Sequence, residues 1–302
     1  MLKRRLLRAL GHQRYLRFGV RDRILRRFDD PARADATEFV TPFFGARYRG
    51  QFDSFIDWST YYYGAYSRDD LDLIDDLLTA WRHPVFVDVG ANVGHHTLFA
   101  ATRCRRVIAI EPFEPLTRRI QQKIDENGLT NVTIVTCGLA ERDGVAAYVP
   151  PTTHNRGTGA FGVPEAGSVS LPVRRGDDVL AEAGASAPSF IKIDTEGLEP
   201  QVLRGLAKTL AGARPMVFVE WLPGPALAVR EEGRALFPAG YAFYRRRPDD
   251  AAFGVFRRAP RRLEQLSDTW PEADILAVPV ELRDRLASDA AAARAASRLS
   301  GD

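Results

Sequence analysis

Leu2, Leu6 and Leu10 recur one helical turn apart with arginines between them, which predicts a short amphipathic basic helix ending near Gly11. Aromatic residues then crowd positions 39–66, punctuated by Gly and Pro, and predict loops and short strands laid over something else. Ser67-Arg-Asp-Asp70 has the form of a capping box and opens a helix with Leu71, Ile74, Leu77 and Leu78 facing inward. From Pro84 the pattern changes. Short apolar runs at 85–89, 107–110, 132–136, 190–194 and 216–221 read as strands buried on both faces. Helical periodicity separates them, as in Leu116, Ile120 and Ile124 before the Asn127-Gly128 stop, and Val202, Leu203, Leu206 and Leu210 further on. Strands at 145–149 and 169–173 flank a Pro/Gly/Thr-rich loop, and 241–244 with 253–256 read as a late antiparallel pair.

Strand and helix alternating at this spacing predict an α/β, Rossmann-like, doubly wound and mostly parallel sheet with a late antiparallel strand. Three parts follow: residues 1–80 as a basic arm and aromatic cap, 81–258 as the ligand-binding domain, and 259–302 as a helical extension with an Ala-rich end.

Composition changes this picture little. The 302 residues are 45% hydrophobic and 27% charged, as in a globular protein. Two cysteines, Cys104 and Cys137, exclude a disulfide framework and fit a reducing, cytoplasmic setting. Charge matters more. Residues 1–28 carry ten of the 42 Lys+Arg and one acid, Asp22, so the rest of the chain is net negative although the whole is +3. An acidic body argues against a nucleic-acid partner.

Ligands of such sheets bind at the carboxyl ends of the strands. There the chain places Asp88-Val-Gly-Ala-Asn-Val-Gly94, Glu111, Cys137-Gly138, Asp194 to Gly197, and Glu220-Trp221. The first lacks the third glycine of a dinucleotide fingerprint. Its Asp88 would repel a pyrophosphate but suits a cationic or hydroxyl-rich ligand. Glu111 follows at about the 20-residue spacing at which an acid holds ribose hydroxyls in dinucleotide folds. A ribose without a diphosphate, beside a positive charge, describes S-adenosylmethionine.

The glycine turn, Ile110-Glu-Pro112, Phe190-Ile-Lys-Ile-Asp-Thr-Glu-Gly197, Glu199 and Val202-Leu-Arg-Gly205 together resemble the FkbM-type class I methyltransferases, over roughly residues 85–221. The resemblance implies S-adenosylmethionine-dependent O-methylation of a hydroxyl on a sugar, glycan or polyketide-like natural product. It also implies roles for residues. Gly90, Asn92 and Gly94 would hold the methionine tail, with Asp88 facing its ammonium directly or through water. Glu111 would bind the ribose, and Cys137 and Gly138 would border the adenine. Asp194 and then Glu196 are the candidate bases, with His95 or His96 as rivals. Asn155, Gly157, His95 and Glu220 are candidate acceptor contacts.

Plainer readings stand beside these. Asp194 and Glu196 could simply favour the N-terminus of the following helix. His95 and His96 lie about 100° apart on a helix and cannot both face one ligand. Rival functions are a nicotinamide-dependent oxidoreductase and a nucleic-acid methyltransferase. The arm is expected to dock on the acidic body or on a second copy, ahead of weak contact with an anionic membrane face.

Overall fold

The computed structural model describes residues 2–79, 81–150, 159–161, 167–221, 233–246, 263–266, 270–271 and 273–283. In chain order the arm is α1 (Leu2–Gly11) and α2 (Phe18–Phe28). The cap is the hairpin β1 (Glu38–Phe43) and β2 (Ala46–Gln51), then α3 (Phe55–Tyr63) and α4 (Arg68–Leu78). Next come β3 (Val85–Val89), α5 (His95–Ala101), β4 (Arg106–Ile110), α6 (Glu114–Asn127), β5 (Val132–Val135) and β6 (Gly138–Ala140). After them lie β7 (Gly144–Val149), β8 (Ala160–Phe161), β9 (Val169–Arg175), α7 (Gly176–Glu182) and β10 (Phe190–Ile193). The rest is α8 (Glu199–Gly205), α9 (Ala207–Gly212), β11 (Met216–Trp221), β12 (Tyr241–Arg246), β13 (Leu263–Gln265) and β14 (Ala273–Pro279).

Among the described residues the main sheet runs β13-β12-β14-β11-β10-β3-β4-β5. Strands β5, β4, β3, β10 and β11 are parallel, and β14 inserts antiparallel between β11 and β12. Chain order reverses between β3 and β10, so the ligand crevice of a doubly wound sheet falls at their carboxyl ends. β3 and β10 are buried at every position, as expected for central strands covered on both faces. On one face Phe86 and Phe190 stack at 5.3 Å and share a core with the cap aromatics Tyr48, Trp58 and Tyr62. On the other, Val87 and Ile191 pack with Val202, Leu203, Leu206 and Leu210 of α8 and α9. A smaller sheet, β6-β9-β7-β8, stands beside the carboxyl end.

Two expectations are corrected. Ser67 adopts φ 43° and makes no side-chain cap bond, so the capping box does not form, although the inward leucines of α4 are buried. The described part of 259–302 is not a helical extension: β13 and β14 belong to the main sheet, because β14 completes the antiparallel edge that β11 and β12 need. The late antiparallel partners of β12 are these strands, while 253–256 lies outside the described residues.

The arm docks within the chain, and it does so through its cations. Arg4 pairs with Asp29 and lies 3.8 Å from the Phe52 ring centroid, Arg8 donates to Thr41, and Arg14 pairs with Asp69 and Asp72. Leu6 is left 68% exposed. Among the described residues no helix is long and apolar enough to cross a membrane.

The cap is tied to the domain by Asp57, fully buried in α3. It accepts from the Tyr48 hydroxyl at 2.7 Å and the Gln51 amide at 2.9 Å, and pairs with Arg119 of α6. Burial pushes its carboxyl up, but the charges of Arg119 and Lys123 pull it below the usual carboxylate range. Its contribution to stability is therefore present above the unfolded carboxylate value of about 4 and is lost as pH falls below it. Asp57→Ala leaves the half-buried Arg119 without its partner, strands the Tyr48 hydroxyl, and should cost about 2–4 kcal/mol in denaturant unfolding, with the deficit shrinking in acid. A deficit under about 1 kcal/mol would show that the cap is held by apolar packing alone.

Candidate active site

β3 ends in a turn that the tertiary structure leaves almost no freedom. Gly90 has φ 75°, and a Cβ there would lie 1.8 Å from the Asp194 carbonyl oxygen at the end of β10. Glycine is required because two strand ends meet at the backbone. Asn92 follows at φ 51° and Gly94 at φ 79°, where Gly94 begins α5 and abuts Ile120 of α6. The Gly90 and Ala91 amides both donate to the Ile110 carbonyl, and the Asn92 amide donates to Glu111 at 2.9 Å.

Glu111, at the end of β4, thus holds the turn. Its other oxygen accepts from the Phe113 amide at 3.0 Å. Burial raises its carboxyl to about 7 against those two amide bonds. Each oxygen keeps a lone pair for a hydroxyl donor.

A cleft opens above these residues. Gly90, Asn92, Glu111 and Pro112 form one wall, and Gly138, Leu139, Tyr148 and Phe161 from the smaller sheet form another. Tyr148 and Phe161 lie 5.3 Å apart, an aromatic surface suited to a flat ring. Asp194, Glu196 and Glu220 close the far side.

Those three acids have different environments. Asp194 sits 2.9 Å from the buried Lys192 ammonium and accepts from the Glu220 carboxyl. Burial pushes Asp194 up, but Lys192 and the proton from Glu220 hold it below its ordinary value, while burial and Asp194 drive Glu220 upward. The pair therefore shares one proton. Glu196 stands apart at φ 53°, an uncommon conformation for a residue with a Cβ. Burial, then Asp194 and Glu199, raise its carboxyl to about 7.

The structure separates the expected site residues. Gly90, Asn92, Glu111, Gly138, Asp194, Glu196 and Glu220 share the cleft. Asp88 does not line it. It is fully buried under the turn, where it accepts from Thr97 at 2.6 Å and lies 3.8 Å from Lys192, so it does not face a ligand directly. Cys137 is buried in the core behind Gly138 rather than in the wall. His95 is a core residue of the cap interface: its ring bonds Thr60 and the Tyr66 carbonyl and meets Phe43. Its neighbour His96 turns instead toward a second cavity. Asn155 and Gly157 lie outside the described residues.

Two residues gain importance. Lys192 is a cation in an otherwise apolar strand, paired in register with Asp88. Glu199 accepts from the Thr195 amide and hydroxyl and from the Gly197 amide, fixing the loop that presents Asp194 and Glu196. A lysine amid strand apolars and an acid at a helix's first position were the signals in the sequence.

Comparison with known proteins finds likenesses over the same part of the chain. Residues 88–233 match the family model of the methyltransferase FkbM domain. That match covers just under half of the chain. The hexuronic acid methyltransferase AglP of Haloferax volcanii is 29% identical over 144 residues, 47% of this chain and 59% of AglP. The AMB antimetabolite synthetase AmbE of Pseudomonas aeruginosa is 28% identical over 180 residues, 47% of this chain and 8% of AmbE. The crystal structure of the methyltransferase FkbM from Methylobacillus flagellatus KT is 24% identical, covers 46% of this chain and 32% of its own, and has a TM-score of 0.34. The chain thus spans less than two thirds of these curated relatives. The cleft walls from Gly90 to Glu220 all fall inside the FkbM segment, whereas the cap residues Phe55 and Tyr66 that also line it precede that segment.

Glu111 gives the domain a pH signature. A carboxyl raised on folding contributes stability below its unfolded value of about 4.3 that is lost as pH rises through about 7. Glu111→Gln removes that titration. Thermal midpoints measured from about pH 5 to about pH 8 should fall less steeply for the variant than for the parent. Parallel profiles would mean that Glu111 titrates normally.

Proposed function

We propose that this chain transfers a methyl group from S-adenosylmethionine to a hydroxyl of a sugar or a related polyhydroxylated acceptor. The observation that carries the reading is one cleft that holds Glu111 on one side and Asp194, Glu196 and Glu220 on the other. The residues fit the cofactor. Glu111 keeps lone pairs for two hydroxyls, Tyr148 and Phe161 suit an adenine face, and the acids offset a positive charge. A diphosphate fits poorly, because the Gly90, Ala91 and Asn92 amides it would need are spent on Ile110 and Glu111. This argues against the nicotinamide reading. The name of AglP, a methyltransferase of a sugar acid, supports a sugar-class acceptor.

When bound, the cofactor supplies a methyl carbon made electrophilic by a positive sulfur. The chain's own work is to orient and to move one proton. Glu111 anchors the ribose end, and the Glu199-clamped loop sets where Asp194 and Glu196 stand. The acceptor hydroxyl must lose its proton as its oxygen attacks. Glu196, raised to about 7, is matched to that task at neutral pH. Asp194 is the weaker base because Lys192 and Glu220 already stabilise its charge. Holding acceptor and methyl donor in line can supply ~7–11 kcal/mol of the barrier.

The test is acceptor-dependent release of S-adenosylhomocysteine, with binding followed separately by calorimetry. Glu196→Gln should lower kcat by about 10²–10⁴-fold and abolish a pH limb near 7, with S-adenosylhomocysteine affinity kept. Glu111→Ala should weaken that affinity by about 1.5–3 kcal/mol. A parent protein that binds neither S-adenosylmethionine nor S-adenosylhomocysteine would falsify the reading.

A further inference from the structure

A second cavity of about 390 Å³ adjoins the cleft, and Tyr66, Asp194 and Glu220 line both. Asp70, His96 and Asp274 line only the second. The cation in its lining, Lys192, is engaged by Asp194 and Asp88, and Arg246 nearby pairs with Asp70. Glu220 of β11 and Asp274 of β14 are register partners. Burial and then the charge of Asp194 push Glu220 upward. Burial likewise raises Asp274, with Asp194 adding to it against the pull of Arg246. Lys192 also pulls Asp274 down, but the carboxyls around the cavity, Asp70, Asp194, Glu220 and Asp274, outnumber its nearby cations, Lys192 and Arg246. His96 adds an independent observation. It is a polar ring only 8% exposed, on the wall of this cavity, with no hydrogen-bond partner among the described residues. A neutral imidazole offers one lone pair.

We infer that this second cavity receives an ammonium group carried by the acceptor, so that the preferred substrate is an amine-bearing sugar rather than a uronic acid. An ammonium has three N–H donors and no acceptor, and meets the His96 lone pair together with the Glu220 and Asp274 carboxyls. Its charge favours the ionised form of Glu220, raised to about 9 without it, and the proton lost goes to solvent. A uronate would bring an anion into an acid-lined space whose cations are already paired, a repulsion that selects against it. The inference rests on the methyltransferase reading above and narrows its substrate.

The experiment uses the full chain saturated with S-adenosylhomocysteine. Methyl glucosaminide, methyl glucoside and methyl glucuronide are titrated calorimetrically in two buffers of different ionisation enthalpy. The glucosaminide should bind at least about tenfold more tightly than the glucuronide, with proton release on binding. Asp274→Asn should shrink that gap about tenfold without changing S-adenosylhomocysteine affinity, and His96→Phe should weaken the glucosaminide selectively. Equal, reversed or absent binding of the three sugars overturns the inference. So does an Asp274→Asn variant that loses S-adenosylhomocysteine affinity and keeps the gap, since the cavity then holds the cofactor's own ammonium. Failure of S-adenosylhomocysteine to bind the parent instead removes the methyltransferase reading on which it stands.

Discussion

The carboxyl ends of the central strands bury more carboxylates than cations, and Lys192 is the charge around which they are arranged. It lies between Asp88 on β3 and Asp194 beyond β10, at the point where the sheet reverses its order. Burial disfavours its charged form, yet the two carboxylates and Glu220 raise it above its ordinary value. A buried pair of this kind adds little net stability, because desolvation offsets its Coulomb attraction. Its consequence is local: Asp194 stays ionised, Glu220 keeps a proton, and Glu196, further from the lysine, is left near neutrality. One cation thus assigns different protonation states to three acids in the same cleft.

The second constraint is the meeting of backbones. The Gly90 turn and the Asp194 carbonyl approach so closely that a methyl group could not stand between them. Two buried acids then hold the loops on either side, Glu111 through the Asn92 and Phe113 amides and Glu199 through the Thr195 and Gly197 amides. The resulting rigidity suits a reaction that depends on alignment more than on strong acid–base chemistry. It also means that the turn's amides serve the fold, which sets this crevice apart from a phosphate-binding one built on the same topology.

The cap and arm complete the enclosure. Phe55 and Tyr66 reach the cleft from the cap, and Asp57 fastens the cap to α6 through Arg119. The arm inverts the usual amphipathic logic, since Arg4 and Arg8 pack inward over Phe52 and Tyr61 while Leu6 faces out. Guanidinium groups over aromatic faces thus join Leu7 and Leu25 in packing the arm on the cap.

The sequence by itself determined the alternating fold, the strand ends that line the cleft, and several of the residue types in its walls. Those features depend on local periodicity and on short spacings, which a linear reading captures. It did not determine which acid faces the ligand. Asp88 and Glu111 look alike in sequence, but β3 carries Asp88 beneath the turn against Thr97 and Lys192, while Glu111 ends its strand in the open wall. Nor could it distinguish His95 from His96, where one step around a helix exchanges a cap core for a cavity. The described stretch at the chain's end was misread for the same reason. β14 is a strand because it lies between β11 and β12, which come from far earlier in the chain. Side-chain direction and strand insertion are set by contacts between distant segments, so only the tertiary structure decided them.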